Sequence, residues 1–361
     1  MSPDTVSRTT SAEALARLEA QIAGSSRGRW LVLTHDNPDP DAVAAGIALV
    51  KLLRHHLSQR VTLAYGGIIG RAENLEMVRS LKLEMSRLRH IQFKNYRHFA
   101  LVDTQPRTGN NQLPDDITPD LVFDHHPLRR ATTEVPFVDV RTDYGATASI
   151  VAEYLLAAGV SLTRKEATAI VYAIRSETLD FSREAAGSDR MVYDHFLKLA
   201  DKRLLGRIQN PPLPLDYFSS LHDALENLSS VQSLVISHLG AVSQPDIVPE
   251  IADLLLRMQG KTWSLVTGQF EGRIYCSIRT SNPRADAARL MRRLLGRRGK
   301  GGGHGMVAGG WLPMSEREPA AKQQVELGKR LARLLRKKPE KVTELKLRPE
   351  PAPPAEGQPP A

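Results

Sequence analysis

Three short segments of the chain bring histidine and aspartate together at spacings that suit a hard cation. The first, THDNPDPDAVAAG, places His35, Asp39 and Asp41 in an H-x3-D-x-D pattern, with Asp36 beside them. One helix start needs one capping carboxylate. Aspartates crowded this closely repel one another unless a cation sits among them. The second segment is Asp103 at the end of FALVD, followed by Thr104; the third is Asp124-His125-His126 at the end of DLVFD. Neighbouring residues of an extended chain point to opposite sides, so one histidine of the pair can take a metal while the other faces a substrate. His55-His56 has the same composition but follows Arg54 in a helical pattern, and it reads as a solvated helix face.

Together His35, Asp39, Asp41, Asp103 and His125 form a donor set of carboxylate oxygen and imidazole nitrogen. Such donors suit manganese, magnesium, iron or zinc. Two ions about 3.5–4 Å apart need a carboxylate between them, and pairs of that kind clamp in-line displacement at phosphorus. They also depress the pKa of water toward neutrality. The single cysteine, Cys276, excludes an intrachain disulfide and a cysteine-rich zinc site; within RIYCSIR it reads as a buried thiol.

Positioning these groups requires strands that end on one edge. WLVLT from Trp30, VTLAY from Val61, FALVD ending at Asp103 and DLVFD ending at Asp124 all read as buried strands. Helical spacing predicts helices at about 41–57, 72–81, 146–158 and 165–176. The alternation is that of an α/β fold with a largely parallel sheet, whose ligands gather at the carboxyl ends of the strands. A helical stretch at about 193–210 leads into the proline cluster NPPLPLD, a domain boundary. Beyond it, helices at about 218–228, 249–258 and 284–295 and strands VQSLVISHL, TWSLVTGQF and RIYCSIRT predict a smaller α/β domain, closing with the glycine-rich loop GKGGGHGMVAGG. The expected division is an N-terminal helical or flexible extension at 1–28, a metal-bearing domain at 29–195, a linker at 196–216, a second domain at 217–315, and a basic helix with a Pro-rich disordered tail at 316–361.

The chain of 361 residues is 41% hydrophobic and 25% charged, ordinary globular usage that allows a packed core. No stretch approaches the ~20 apolar residues of a membrane span, and the N-terminus lacks an apolar signal core. A cytoplasmic protein that does not engage membranes is the default expectation. The net charge of +9 favours nucleic acid over a neutral metabolite as partner, although a solvated surface can carry the same excess. Arg284, Arg289, Arg292, Arg293, Arg297, Arg298 and Lys300 concentrate charge before the glycine-rich segment. Few aromatics interleave with them, so short substrates fit better than a long single strand. The basic stretch Lys322–Lys338 can form a basic helix with weak nucleic-acid affinity, but a floppy surface segment is the favoured reading. Glycine lets backbone amides approach a phosphate closely, and Arg279 and Ser281 are candidate phosphate contacts.

THDNPDPDAVAAG, LVDT and FDHHP, in this order and spacing, resemble the first three motifs of the DHH phosphoesterase superfamily. RTSNPRADAARLMRRLLGRRGKGGGHGMVAGG resembles the GGGH-containing segment of the DHH-associated C-terminal domain. The resemblance covers roughly Arg29 to Pro313 and is strongest to the short two-domain type, which includes nano-RNases and phosphatases acting on phosphoadenosine phosphate. It implies that His35 and Asp39 hold one metal, Asp41 and His125 a second, and that Asp103 bridges both. Asp124 would orient His125, and His126 would face the scissile phosphate. The fourth family motif normally supplies one more aspartate; the matching YAIRSETLDFSRE places Glu177 there, with Asp180 three residues on as the alternative. Gly302, Gly303 and His304 would join Arg279 and Ser281 on the substrate side. The implied activity is manganese-dependent hydrolysis, with two ions per chain and magnesium or another divalent ion as substitute. The implied substrates are short RNA or small nucleotides such as 3′,5′-bisphosphates; a homodimer is compatible with this type. A hydrolase of linear cyclic-dinucleotide products shares the chemistry. Inorganic pyrophosphatase stands behind these, because the GGGH segment resembles the nucleotide-type partner domain. A non-catalytic nucleotide or RNA binder with a decayed site is the rival that Glu177 leaves open.

Overall fold

The computed structural model describes residues 3–57, 59–182 and 185–346, with the side chains of 3–11 and of His304 outside the description. The chain divides after Pro211 into two units. The first contains α1 (Pro3–Ala23), β1 (Trp30–Leu33), α2 (Pro40–His56), β2 (Val61–Tyr65), α3 (Ala72–Leu81), β3 (Ser86–Arg87), β4 (His98–Val102), β5 (Leu121–Asp124) and β6 (Phe137–Val140). Four further helices follow: α4 (Thr147–Ala157), α5 (Arg164–Glu177), α6 (Gly187–Leu197) and α7 (Lys202–Gln209).

All six strands run parallel, in the order β3-β2-β1-β4-β5-β6. Central parallel strands are covered on both faces, which is why WLVL and LVFD are unbroken apolar runs up to their charged ends. Trp30 and Val32 enter the core built by the helices, whereas Leu31 and Leu33 enter a second core with Leu88, Leu113 and Val135 from the connecting loops. Helix α2 starts with Asp39 as N-cap and Pro40 behind it, and α5 starts with a Thr163–Glu166 capping box.

Two boundaries differ from expectation. Leu15, Leu18 and Ile22 of α1 are buried in the first core, so this helix is part of the domain. The expected linker 196–216 is largely structured: Phe196, Ala200, Leu205 and Ile208 belong to the same core, and the division falls only after α7.

The second unit contains α8 (Leu215–Glu226), β7 (Leu228–Val231), β8 (Leu234–Ala241), α9 (Ile247–Leu256), β9 (Trp263–Phe270) and β10 (Arg273–Thr280). It continues with α10 (Ala287–Leu295), β11 (Lys300–His304), β12 (Val307–Pro313), α11 (Ala320–Leu334) and β13 (Thr343–Glu344). The seven strands form a mixed sheet, β11-β12-β10-β9-β8-β7-β13, in which β8 and β9 are parallel and the other pairings antiparallel. Helices α10 and α11 pack on one face, α8 and α9 on the other.

Three expectations are corrected here. VQSLVISHL is not one strand but the hairpin β7–β8, turned at Gln232 in a left-handed conformation. The glycine-rich segment is not a loop but the hairpin β11–β12. A Cβ on Gly301 would lie 2.7 Å from Met291 Cγ and one on Gly310 2.6 Å from Leu295 Cδ1, so glycine is what lets α10 lie against the hairpin. Helix α11 is no floppy segment, because Leu327, Leu331 and Ala332 are core residues and β13 pairs with β7 beyond it. The Pro-rich stretch from Pro349 falls outside the described residues. Cys276 is buried in β10, where burial pushes its thiol up to about 12. Among the described residues no helix is long and apolar enough to cross a membrane.

Candidate metal centre

The strand order of the first domain reverses between β1 and β4, the place where open α/β sheets gather ligands outside the carboxyl ends of their strands. Register decides which side chains meet there. Leu33 pairs with Leu101 and Leu101 with Val122, so two residues further on His35, Asp103 and Asp124 stand level. The chain leaves β4 with Asp103 at φ 56°, a left-handed conformation that costs a non-glycine residue about 1–3 kcal/mol. Its amide donates to the Phe123 carbonyl at 2.9 Å, and the Thr147 hydroxyl donates to its Oδ1 at 2.9 Å.

The Asp103 carboxylate is 2% exposed and faces histidines on two sides. Its Oδ2 lies 3.4 Å from His35 Nε2, which is itself 3.7 Å from Asp39 Oδ2. Its Oδ1 lies 3.6 Å from His125 Nε2 and 3.6 Å from His126 Nδ1. These separations are long for hydrogen bonds. They suit ligands of one ion, since two atoms each about 2.1 Å from a metal stand roughly 3.0–3.5 Å apart.

Proton placement supports the same fit. His35 Nδ1 is 2.9 Å from the Asp36 carbonyl and His125 Nδ1 is 3.2 Å from the Tyr144 carbonyl. A carbonyl only accepts, so both rings carry a proton on Nδ1 and turn Nε2 toward Asp103. A lone pair facing a carboxylate is repulsive, so a proton or a cation must lie between them. Burial alone would lower the pKa of His35, but Asp103 and Asp39 outweigh it and hold the ring well above the usual histidine value. Asp39 moves the opposite way: burial would raise it, and His35 and the Ala42 amide bring it below the ordinary carboxylate range. Oxygen and imidazole donors with this pull on positive charge fit a divalent ion.

The other expected residues are distributed unevenly. Among the described residues two groups bring ligand atoms within 4.8 Å of one another: His35, Asp39 and Asp103, and Asp103, His125 and His126. Asp41, expected at the second metal, is in neither. Its two oxygens accept the Thr147 and Ala148 amides at 2.8 Å each, so it caps the start of α4. Burial, then the charges of Asp103, Asp39 and Glu177, push its pKa well up. Glu177, the last residue of α5, is felt at both Asp41 and His126, which brings its charge to the pocket. Asp180 is exposed and ion-paired with Arg175 at 2.5 Å. The charge of Glu177, rather than that of the ion-paired Asp180, thus bears on the pocket.

One expected partnership is reversed. Asp124 supports His126, not His125: its Oδ1 accepts the His126 amide at 3.2 Å and Nδ1 at 2.8 Å. An aspartate at a strand end readily turns back onto the amide two residues ahead, and this brings it under His126. Burial would lower the pKa of His126, but Asp124, Asp103 and Glu177 raise it to about 9. Asp124, for its part, lies below its usual value, because His126 and Gln105 outweigh its burial.

Gln105 escaped sequence reasoning. It is 1% exposed, and its Nε2 donates to Asp124 Oδ2 at 2.6 Å and to the Pro127 carbonyl at 3.2 Å. Its Oε1 accepts the Arg129 amide and the Thr132 hydroxyl, both at 2.7 Å. Thr147, which holds Asp103, was missed as well. The only sequence signal for either is a polar residue next to an expected ligand or at a helix start.

In the second domain, Arg279 is 9% exposed and differs from a free phosphate fork. Its Nε donates to Asp253 Oδ1 at 2.6 Å, and its Nη1 to Ser277 Oγ at 2.8 Å and to the carbonyls of Ile278 and Ala308. It ties α9 to the sheet. Ser281 is exposed just after β10. A Cβ on Gly303 would meet the Val307 carbonyl and Ala308, whereas one on Gly302 would meet nothing within 4 Å. His304 closes β11, and its side chain lies outside the description.

Comparison with known proteins gives this arrangement a context. The DHH family N-terminal domain matches residues 29–174, and the DHHA1 domain matches residues 231–327. An uncharacterized protein of Methanocaldococcus jannaschii is 33% identical over 286 residues, covering 79% of this chain and 58% of its own length. A probable manganese-dependent inorganic pyrophosphatase of Listeria monocytogenes is 24% identical over 174 residues, covering 48% of this chain and 56% of its own. The chain therefore spans less than two thirds of either relative. An exopolyphosphatase-related protein from Bacteroides fragilis shares the fold, with a TM-score of 0.71 at 14% identity over 90% of this chain and 98% of that one. The matched first domain carries every residue of the candidate centre but for the last turn of α5, the second matches the DHHA1 domain, and the chain belongs to the DHH family.

Proposed function

We propose that the chain is a hydrolase of phosphoric esters that works with two divalent ions, manganese foremost, and acts on short oligoribonucleotides or 3′,5′-bisphosphate nucleotides. The observation that carries this reading is Asp103, whose two oxygens face different histidine groups, as a carboxylate shared between two ions must. His35 and Asp39 would hold one ion, His125 and Glu177 the other, and Asp41 would stiffen the start of α4 beside them. Bound there, the pair would acidify water and neutralise charge on a phosphate.

The remaining work falls to the chain's own groups. His126, held through Nδ1 by Asp124, which favours its protonated form, would present Nε2 as a donor to a phosphate oxygen or leaving group. The Tyr144 and Asp36 carbonyls keep His125 and His35 in one tautomer. In the second domain, Ser281 and the open surface at Gly302 would meet the substrate, with the backbone of Gly303 and His304 beside them.

The test is turnover by the purified chain, with manganese titrated in, of a ribodinucleotide, a 3′,5′-bisphosphate nucleotide, a linear dinucleotide derived from a cyclic one, and inorganic pyrophosphate. Release of nucleoside monophosphate or phosphate from the first two is expected. Two bound ions with no phosphoester cleaved would overturn the reading. Turnover of pyrophosphate alone would move the chain toward the activity that the name of its Listeria relative describes.

A further inference from the structure

The positive charge of this chain is not spread over it. Residues 284–300 hold seven arginines and lysines against one carboxylate, and residues 320–341 hold eight against two. The two stretches carry a net +12, more than the +9 of the whole chain, so all other residues together are slightly acidic. Both stretches fold onto the same face of the second sheet. Met291 and Leu294 of α10 share a core with Leu327 and Leu331 of α11, and Arg330 Nη2 donates to the Arg293 carbonyl at 2.8 Å.

Arg289, Arg292, Arg293, Arg297, Arg298 and Lys300 are exposed. The ion pairs of this layer, Lys322–Glu318 and Arg333–Glu326, involve α11; among the described residues no carboxylate pairs with the arginines of α10. Like charges packed this closely are balanced by counter-ions, and a polyanion that displaces those ions gains their entropy.

The chemistry of the face narrows the partner. A bilayer-seeking helix keeps an exposed apolar stripe. Here that stripe is in the core, and Val325 is the one large hydrophobic side chain exposed on either helix among the described residues. Neither stretch contains Phe, Tyr or Trp, so bases have nothing to stack on. What the face offers is mainly guanidinium, whose planar fork matches phosphodiester oxygens. We propose that the α10–α11 face is a docking surface for the backbone of a nucleic acid, read without regard to sequence. It belongs to the second domain alone and stands whether or not the metal centre is catalytic.

The experiment is fluorescence anisotropy of a labelled oligouridylate of about 30 nucleotides with the full chain in EDTA, from roughly 50 to 300 mM salt. R292E/R293E/R297E is expected to weaken binding at least about tenfold and to flatten the slope of log K against log salt by about 2, at roughly 0.7 for each single-strand phosphate released. K94E/K198E/R207E, which reverses exposed cations of the first domain, should change the slope by less than half as much. Thermal melts check folding. If the reversal lowers the melting point, R292Q/R293Q/R297Q decides, with a smaller flattening in the same direction. Unchanged affinity and slope in the α10 variants overturns the proposal. So does an equal loss in the first-domain variant, or tighter binding to anionic phospholipid vesicles than to RNA at equal phosphate.

Discussion

Asp103 sits in a strained backbone position and faces three imidazoles, so the most informative substitution changes its charge and nothing else. Asparagine tolerates the left-handed conformation and keeps the volume, so Asp103→Asn should fold. Its amide offers one oxygen where two are needed. Metal content measured on the purified variant is expected to fall from two ions to one or none. Turnover should fall about a thousandfold, since the several kcal/mol that a metal contributes to a transition state is about 1.4 kcal/mol per decade. Two ions retained in Asp103→Asn would remove the shared-carboxylate role. Gln105→Leu tests the support of His126 instead. It strips partners from Asp124 Oδ2, the Arg129 amide and the Thr132 hydroxyl in a buried setting, at about 1–3 kcal/mol for each group left unpaired. A loss of at least about 3 kcal/mol in urea unfolding, with turnover down about 10–100-fold, is expected. A variant as stable and active as wild type would show that Gln105 is dispensable.

At the scale of elements, the first domain was legible because its signals are strong and redundant. Unbroken apolar strands ended in His35, Asp103 and Asp124, and α3 spans 72–81 as its spacing predicts. Side-chain direction at a strand end was not legible, because one rotamer decides whether Asp124 supports His125 or His126. Nor was the role of Asp41, whose partners Thr147 and Ala148 lie more than a hundred residues away in sequence. Helices α7 and α11 were legible as helical stretches, but their burial was not, for a related reason: each shows few apolar residues, and these count only once a partner surface exists. The glycine-rich hairpin was misread because glycine signals a turn in isolation and a close contact in context. Two substitutions separate those meanings. Gly310→Ala drives a methyl into Leu295 and the Lys300 carbonyl, and should cost about 1–3 kcal/mol by thermal or urea unfolding. Gly302→Ala meets nothing within 4 Å, so stability should hold while KM for the short substrate rises if the substrate lies against that surface. Equal destabilisation by both would make the whole segment a packing device.

At the scale of the whole molecule, each of the two units has its own cores, so each should answer acid by its own groups. In the second, His238 of β8 is the group to watch. Burial lowers its pKa to about 4, and its Nδ1 meets only the Thr267 hydroxyl, at 2.8 Å. Gln324 and Gly328 of α11 close around it, and among the described residues no carboxylate pairs with it. A histidine lowered in the folded state binds its proton more readily once unfolded. Its contribution is therefore complete above the unfolded value near 6.5 and drains away as pH falls toward 4. At pH ~4.5 the second domain should have lost about 2–3 kcal/mol from this group. Tryptophan fluorescence can follow that domain by itself, because Trp263 and Trp311 lie in it and only Trp30 lies in the first. In a Trp30→Phe background, urea midpoints at pH ~7 and ~4.5 should separate by that amount, and His238→Leu should remove most of the separation. An undiminished pH dependence in His238→Leu would shift the cause to carboxylates elsewhere in the domain, such as Asp253 beneath Arg279.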